Sequence, residues 1–277
     1  MQTVVITGAS GFIGSHCTIK LRLNGFNVIP VTRKKFQGMI TVNDYKDVPN
    51  GDILIHLGED SDRGHVNSLG VDYFKVATSS VNTLAQKFEG RMIYGSSAVV
   101  YGDQGAQPFK TDSKTYSVDT YSSTKIANES TVSSFGGISF RFSNVYGEGM
   151  SEKNILSDII KQLNTDGPIV VRNESPIRDY IHISSITDLI INSIKNYQDG
   201  VFNVGSGVGT SIHQLARLIL GVAAQKNRQI HSLMKSEENS YSVLNTSKTQ
   251  KAFNWIPQSD MKPLLPSLIG KNIDKIK

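Results

Sequence analysis

The chain has 277 residues with a single cysteine, and carries a formal net charge of +5 with a pI near 9.1. At this length about three quarters of the unfolded chain's surface can be buried, so the core needs no staples, and Cys17, which cannot form an internal disulfide, is expected in the core of a reducing, cytoplasmic protein. Met1-Gln2-Thr3 runs into an apolar strand without a leader, no run of about 18 apolar residues or zinc spacing is present, and Lys and Arg are spread along the chain, so membrane, zinc and nucleic-acid roles are not expected.

Short apolar runs alternate with helical patterns, which predicts βαβ units around a mostly parallel sheet. A strand over Val4 to Thr7 leads through glycines to a helix from Ile13 to Asn24, ended by Gly25, and then to a strand over Asn27 to Thr32. Strands follow at Met39 to Val42 and Asp52 to Leu57, with too little chain between them for a crossover helix. A long helical pattern from Asn67 to Phe88 precedes a buried strand over Arg91 to Ser97. The helix carrying Tyr121 and Lys125 runs to Ser134, and Gly136-Gly137 breaks it before a strand over Ile138 to Ser143. Helices over Asn154 to Asn164, Ser184 to Asn196 and Ile212 to Gln225, and strands over Ile169 to Arg172 and Val201 to Val204, complete the reading. The expected fold is a Rossmann-type doubly wound α/β domain over residues 1–144, completed by 178–206, with a smaller mixed α/β substrate lobe from 145–177 and 207–277.

Gly8-Ala9-Ser10-Gly11-Phe12-Ile13-Gly14 joins the first strand to the first helix. That order lets backbone N–H groups at a helix N-terminus approach a dinucleotide pyrophosphate. In such a site a carboxylate about 20 residues on accepts hydrogen bonds from the adenosine ribose, whereas an arginine accommodates a 2′-phosphate. Thr32-Arg33-Lys34-Lys35 stands there, so Arg33 is expected on the 2′-phosphate and NADP(H) is favoured over NAD(H).

Tyr121 and Lys125 are four apart and share one helix face. Reduction of a ketone by hydride needs a general acid at the carbonyl oxygen; a tyrosine can donate that proton, and a neighbouring ammonium favours its phenolate. Met92 to Gly102 carries Ser96 and Ser97 at the C-terminal end of a buried strand, where open α/β sheets bind ligands, so Ser97 is expected beside Tyr121 on the substrate oxygen.

These segments resemble the extended short-chain dehydrogenase/reductases, the nucleotide-sugar epimerases, dehydratases and ketoreductases. The resemblance runs from Thr7 to Gly14 through Ile55-His56-Leu57-Gly58, Ser96-Ser97, Tyr101-Gly102 and Tyr121 to Lys125. It continues in Arg141 to Gly147, Arg178-Asp179-Tyr180-Ile181-His182 and Val201 to Gly207. It implies Ser97, Tyr121 and Lys125 as the catalytic trio, with Lys125 also holding the nicotinamide ribose. It further implies cofactor contacts from Gly8, Ser10, Gly11, Phe12, Ile13, Gly14, Leu57 and Gly58, and substrate contacts from Ala98, Asn144 and Arg178, the last two on the diphosphate of a sugar nucleotide. His182 is expected to pack or cap a turn, Asp179 to be structural, and the chain to form a homodimer through the helix carrying Tyr121 and the long helix before it.

Departures from the family pattern narrow the expectation. Where 4,6-dehydratases of the family carry an Asp-Glu pair after the catalytic hydroxyl residue, this chain has Ala98 and Val99, and where the epimerase-reductases that make GDP-fucose carry a cysteine it has Ala98. What remains is NADPH-dependent reduction of the 4-keto group of an NDP-linked 4-keto-6-deoxy sugar. The rivals are an NDP-sugar 4-epimerase with tightly held NAD, a reductase of a carbonyl not linked to a nucleotide, and a catalytically silent NADP-binding sensor or scaffold.

Overall fold

The computed structural model describes residues 1–234 and 240–274; residues 235–239 and 275–277 of the expected second lobe lie outside it. The first half runs β1 (Thr3–Thr7), α1 (Phe12–Leu23), β2 (Asn27–Thr32), β3 (Ile40–Thr41), β4 (Ile53–His56), α2 (Arg63–Lys87), β5 (Met92–Ser97), α3 (Thr120–Ser134) and β6 (Ile138–Phe142). Next come β7 (Asn144–Tyr146), α4 (Ile155–Gln162), β8 (Ile169–Val171), β9 (Ile177–His182), α5 (Ile183–Lys195) and β10 (Gly200–Val204). The chain continues with β11 (Gly209–Ser211), α6 (Ile212–Val222), β12 (Ile230–Ser232), β13 (Tyr241–Ser242), α7 (Ser247–Phe253) and α8 (Leu265–Asp274).

Seven strands form one sheet in the order β10-β6-β5-β4-β1-β2-β3, and every pairing in it is parallel. The order reverses between β1 and β4, the topological switch point where doubly wound sheets open a crevice at the strand C-termini. Alternation along β1 divides the core between the two faces of the sheet. Val4 and Ile6 pack with Cys17 and Leu21 of α1 and Ile186 and Ile190 of α5, whereas Val5 packs with Val81 and Leu84 of α2 and Val132 of α3. Near the β10 edge, Phe140, Phe202 and Phe253 meet edge to face, with centroids 5.7 Å apart for Phe140–Phe253 and 4.8 Å for Phe202–Phe253; each buried ring is worth about 1.5–3 kcal/mol.

A second, mixed sheet is centred on β9, which pairs antiparallel with β11 and parallel with β13 and β7. Beside it α4, α6 and α8 close a separate apolar cluster that includes Leu156, Ile160, Leu215, Ile219 and Leu265. This sheet sits beyond the C-terminal ends of β5 and β6 and supplies the second wall of the site.

Two local features depart from expectation. The long helix begins at Arg63, not Asn67, because the Asp62 side chain caps it by accepting from the His65 N–H at 3.1 Å. It is also broken at Gly70, whose φ of 56° and ψ of −134° suit glycine alone, so Arg63 to Leu69 form a separate turn of helix that leans on the start of α3. As expected, the stretch between β3 and β4 holds no crossover helix, only a single 3-10 turn at Tyr45–Asp47.

Among the described residues no helix is long and apolar enough to cross a membrane.

Candidate active site

The glycine turn is tight because the backbone leaves no room for side chains. Gly8 has a φ of +73°, and a Cβ there would stand 2.3 Å from the Leu57 carbonyl oxygen; a Cβ on Gly14 would stand 2.2 Å from the Gly8 carbonyl oxygen. The Gly11 N–H donates to that same Gly8 oxygen at 3.0 Å, and Gly11 caps α1 with no side-chain hydrogen bond. The first N–H groups of α1 are thus left to an external acceptor, and the helix dipole favours an anionic one.

A cavity of about 370 Å³ opens at this turn and reaches Tyr121 and Lys125; Gly8, Gly11, Phe12, Ile13, Gly14 and Leu57 line its inner end. A second cavity of about 690 Å³ adjoins it and is lined by Ala98, Val99, Asn144 and Arg178 among others. Ser97 lines both, as do Phe142 and Ser143. The structure therefore places the expected trio on the lining of the first cavity, with Ser97 alone of the three also lining the second.

Three expected cofactor residues lie outside the lining of the first cavity. Ser10 Oγ pairs with Thr32 Oγ1 at 3.2 Å, and the Gly58 carbonyl accepts from Tyr45 Oη at 3.1 Å and from Arg33 Nη2 at 3.3 Å. Arg33 faces a neighbouring groove of about 410 Å³ with Tyr45 and Lys75, at the end of β2.

Each trio member is fixed by local structure. Ser97 caps the 3-10 turn Ala98–Tyr101 by accepting from the Val99 N–H at 3.3 Å, which leaves its own proton to donate. Asp119 caps α3 through a capping box with Ser122, and Asn67 reaches from the broken end of α2 to accept from the Tyr121 N–H at 3.1 Å and donate to Asp119 at 3.0 Å. Arg63, which lines the larger cavity, donates to Asp119 at 2.5 Å. Partial burial would raise the Asp119 carboxyl, but the Ser122 hydrogen bonds, with those from Asn67 and Arg63, hold it down at about 2.

Lys125 Nζ donates to Glu59 Oε2 at 2.6 Å and to the Gly95 carbonyl at 2.8 Å, and lies 5.7 Å from the centre of the Tyr121 ring. Glu59 also accepts from Tyr94 Oη at 2.9 Å and from Asn128 Nδ2 at 2.6 Å. Both charged side chains are 8% exposed. Burial alone would push the Lys125 amine down, yet the Glu59 carboxylate foremost holds it well above its ordinary value. Burial would likewise raise Glu59, and Lys125 followed by His56 holds it below the ordinary carboxylate value. The pair is ionised at neutral pH. His56 beside it is pushed down to about 4, by burial first, and so stays neutral. Its Nδ1 meets Thr7 Oγ1 at 2.6 Å, and its buried Nε2 has no partner among the described residues.

Sequence reasoning missed Glu59, Asn67 and Arg63. A carboxylate directly after Leu57-Gly58, at the C-terminal end of a central strand, was the available signal for Glu59. At the second cavity Asn144 Nδ2 donates to the Asp179 carbonyl at 3.0 Å, and Arg178 donates to Ser240 Oγ at 2.6 Å and to Asp103 at 3.4 Å. Asp179 is fully buried and ties three segments together, accepting from the Ser206, Gly207 and Leu244 N–H groups at 2.7, 3.1 and 3.2 Å. His182 caps α5 by accepting from the Ser184 N–H at 3.3 Å. Asp179 and His182 thus hold the structural places expected of them.

A model of the NAD dependent epimerase/dehydratase family matches residues 4–205. A Methanocaldococcus jannaschii protein provisionally named a UDP-glucose 4-epimerase is 23% identical, the match covering 94% of each chain. The solved UDP-glucose 4-epimerase of Thermotoga maritima, bound to UDP-glucose, superposes with a TM-score of 0.86 at 18% identity over 99% of this chain and 100% of that one. RMD from Pseudomonas aeruginosa, complexed with NADPH, superposes with the same TM-score at 20% identity and the same coverage. Likeness to solved structures at such identities carries the fold.

Proposed function

The chain belongs to the NAD dependent epimerase/dehydratase family, and from that premise we propose that it reduces the 4-keto group of a nucleotide-linked 4-keto-6-deoxy sugar at the expense of NADPH. The observation that carries the reading is that Ser97, Tyr121 and Lys125 line one cavity, with Ser97 shared by the adjoining cavity that the aprotic Ala98 and Val99 line. A 4,6-elimination needs an acid and a base at those two positions, whereas simple reduction needs neither.

The residues present fit a dinucleotide: the glycine cradle leaves α1 N–H groups for a pyrophosphate, and Arg33 with Lys75 flanks the groove at the end of β2, where a 2′-phosphate would gain charge-assisted hydrogen bonds. A bound nicotinamide would supply the hydride. Tyr121 then gives its proton to the oxygen on carbon four, Ser97 steadies that oxygen by donating a hydrogen bond, and Lys125 brings positive charge to the phenol. Arg178 and Asn144 hold the sugar nucleotide's diphosphate, remote from the reacting carbon, so that its binding positions the ketone. The homodimer expected through α2 and α3 belongs to the same proposal, and α2 carries exposed Leu69, Val71 and Val76.

A second reading, an NDP-sugar 4-epimerase, draws support from the names of the Methanocaldococcus and Thermotoga proteins. The test is cofactor content and affinity of the purified protein. Reversible binding that prefers NADPH to NADH supports the reductase. NAD released only on denaturation makes the epimerase the better reading and removes Arg33 from the 2′-phosphate site.

A further inference from the structure

We infer that Glu59 is a positioning residue for Lys125: its carboxylate keeps the ammonium charged and clamps two of its three N–H groups, so that one is left for the cleft beside Tyr121. The proposed reaction gives this clamp its consequence, but the clamp is measurable without substrate or cofactor.

The argument starts from a donor count. A lysine ammonium offers three N–H groups; Glu59 Oε2 takes one at 2.6 Å and the Gly95 carbonyl takes another at 2.8 Å. Those two acceptors come from different strands, Glu59 just beyond β4 and Gly95 within β5, so together they fix where Nζ sits relative to α3. Glu59 is itself held from two sides, by Tyr94 of β5 at 2.9 Å and by Asn128 at 2.6 Å, one turn along α3 from Lys125. The carboxylate therefore cannot swing away from the ammonium without giving up two further hydrogen bonds.

Charge supports the same assignment. With both side chains 8% exposed, an ammonium lacking a counterion would be driven towards its neutral form. Among the described residues the titratable groups that interact with this pair are Tyr121 on α3, Tyr94 on β5, His56 on β4, Tyr73 on α2 and Tyr45, while Arg33 acts on Tyr45 and His56. None of these is a carboxylate, and Glu59 is the carboxylate paired with Lys125. A glutamine at 59 would keep the shape and an acceptor oxygen while removing the charge, which separates the clamp from mere packing.

The experiment is an NMR titration of ε-13C-labelled lysine in the protein without cofactor, with the Lys125 signal assigned by its absence from Lys125→Met. In the wild type the signal should not titrate below about pH 10.5, the ordinary lysine value. In Glu59→Gln the midpoint should fall by ~2 pH units, and Glu59→Asp, which keeps the charge, should recover part of that shift. Where turnover is measurable, the alkaline limb of kcat/KM moves to lower pH in Glu59→Gln, because Lys125 then loses its proton, and its positive charge beside Tyr121, at lower pH. A Lys125 midpoint unchanged in Glu59→Gln overturns the inference. Should Glu59→Gln fail to fold, the double variant Glu59→Gln/Lys125→Met should fold, since it removes both charges together; a double variant that also fails overturns it. An inactive wild type with a Glu59-dependent Lys125 titration sinks the proposed reaction and leaves the clamp standing.

Discussion

Replacing Asp179 by asparagine removes one oxygen from the busiest acceptor in the molecule. Oδ1 accepts the Ser206 N–H and hydroxyl, both at 2.7 Å, and the Ser143 hydroxyl at 3.4 Å, and Oδ2 accepts the Gly207 and Leu244 N–H groups at 3.1 and 3.2 Å. An asparagine can place its oxygen on one side only. With nitrogen on the Oδ2 side, two backbone donors lose their acceptor; with nitrogen on the Oδ1 side, the Ser206 and Ser143 hydroxyls can turn to accept and the Ser206 N–H is the one backbone donor orphaned. The cheaper arrangement costs about 1–3 kcal/mol for one buried donor, and losing charge assistance in the remaining bonds adds about 1 kcal/mol. A total near 3 kcal/mol lowers Tm by about 6 °C in a chain of this size. Asp179→Ala orphans all three backbone donors and should cost about 6 kcal/mol, a large share of the 5–15 kcal/mol typical of whole domains. Because the neighbouring Arg178 and Asn144 line the larger cavity, both variants should also weaken the sugar-nucleotide binding proposed there. Thermal and urea unfolding measure the stability loss. An asparagine variant that melts within about 1 °C of the wild type would refute the hydrogen-bond accounting.

Three further expectations concern the site. Tyr121→Phe should bind NADPH as the wild type does and lose about 10²–10⁴-fold in turnover, the usual worth of a positioned general acid; stopped-flow reduction with matched cofactor titrations checks it, and retained turnover removes the phenol from the mechanism. Arg33→Asp should weaken NADPH roughly 30-fold or more while changing NADH little, as loss of a charge-assisted contact to a 2′-phosphate implies; equal losses for both cofactors in fluorescence titrations would contradict that placement. Asp119→Asn keeps a good helix cap and isolates the charge. The Asp119 carboxyl lies at about 2, below its ordinary 3.8, so its stabilisation is complete above about pH 5 and is lost as pH falls through 2. Urea unfolding should show a deficit of about 1 kcal/mol at pH 7, discounted for the solvent-open rim, that narrows from about pH 4 downwards and closes only below about pH 2; a deficit independent of pH would show that the charge is idle.

The parallel sheet was legible because β1 and β4 centre on apolar runs, β5 opens on one and β6 carries Ile138, Phe140 and Phe142, each between helical patterns with a 3.6-residue rhythm. Gly8 to Gly14 and Tyr121 to Lys125 were legible because their chemistry is local, carried by spacings of a few residues. β7, β9, β11 and β13 went unread because they are short or alternate charged with apolar residues: Ile177 to His182 looks like a polar motif until Asp179 is seen buried beneath three backbone donors. The Gly70 break was hidden within an otherwise continuous helical pattern, although it places Asn67 on the Tyr121 N–H. Glu59 reads as the polar end of a strand; its partner Lys125 lies 66 residues away, so no local pattern joins them.

The central claim is tested most directly by giving the protein a 4-keto-6-deoxy sugar nucleotide with NADPH deuterated at the transferred position, and following both by NMR. Net oxidation of one NADPH per sugar, with deuterium appearing on carbon four, is the result expected. An unreduced ketone with no NADPH consumed, together with interconversion of 4-hydroxy sugar nucleotides differing at carbon four when these are supplied instead, would contradict the reductase and establish the epimerase in its place.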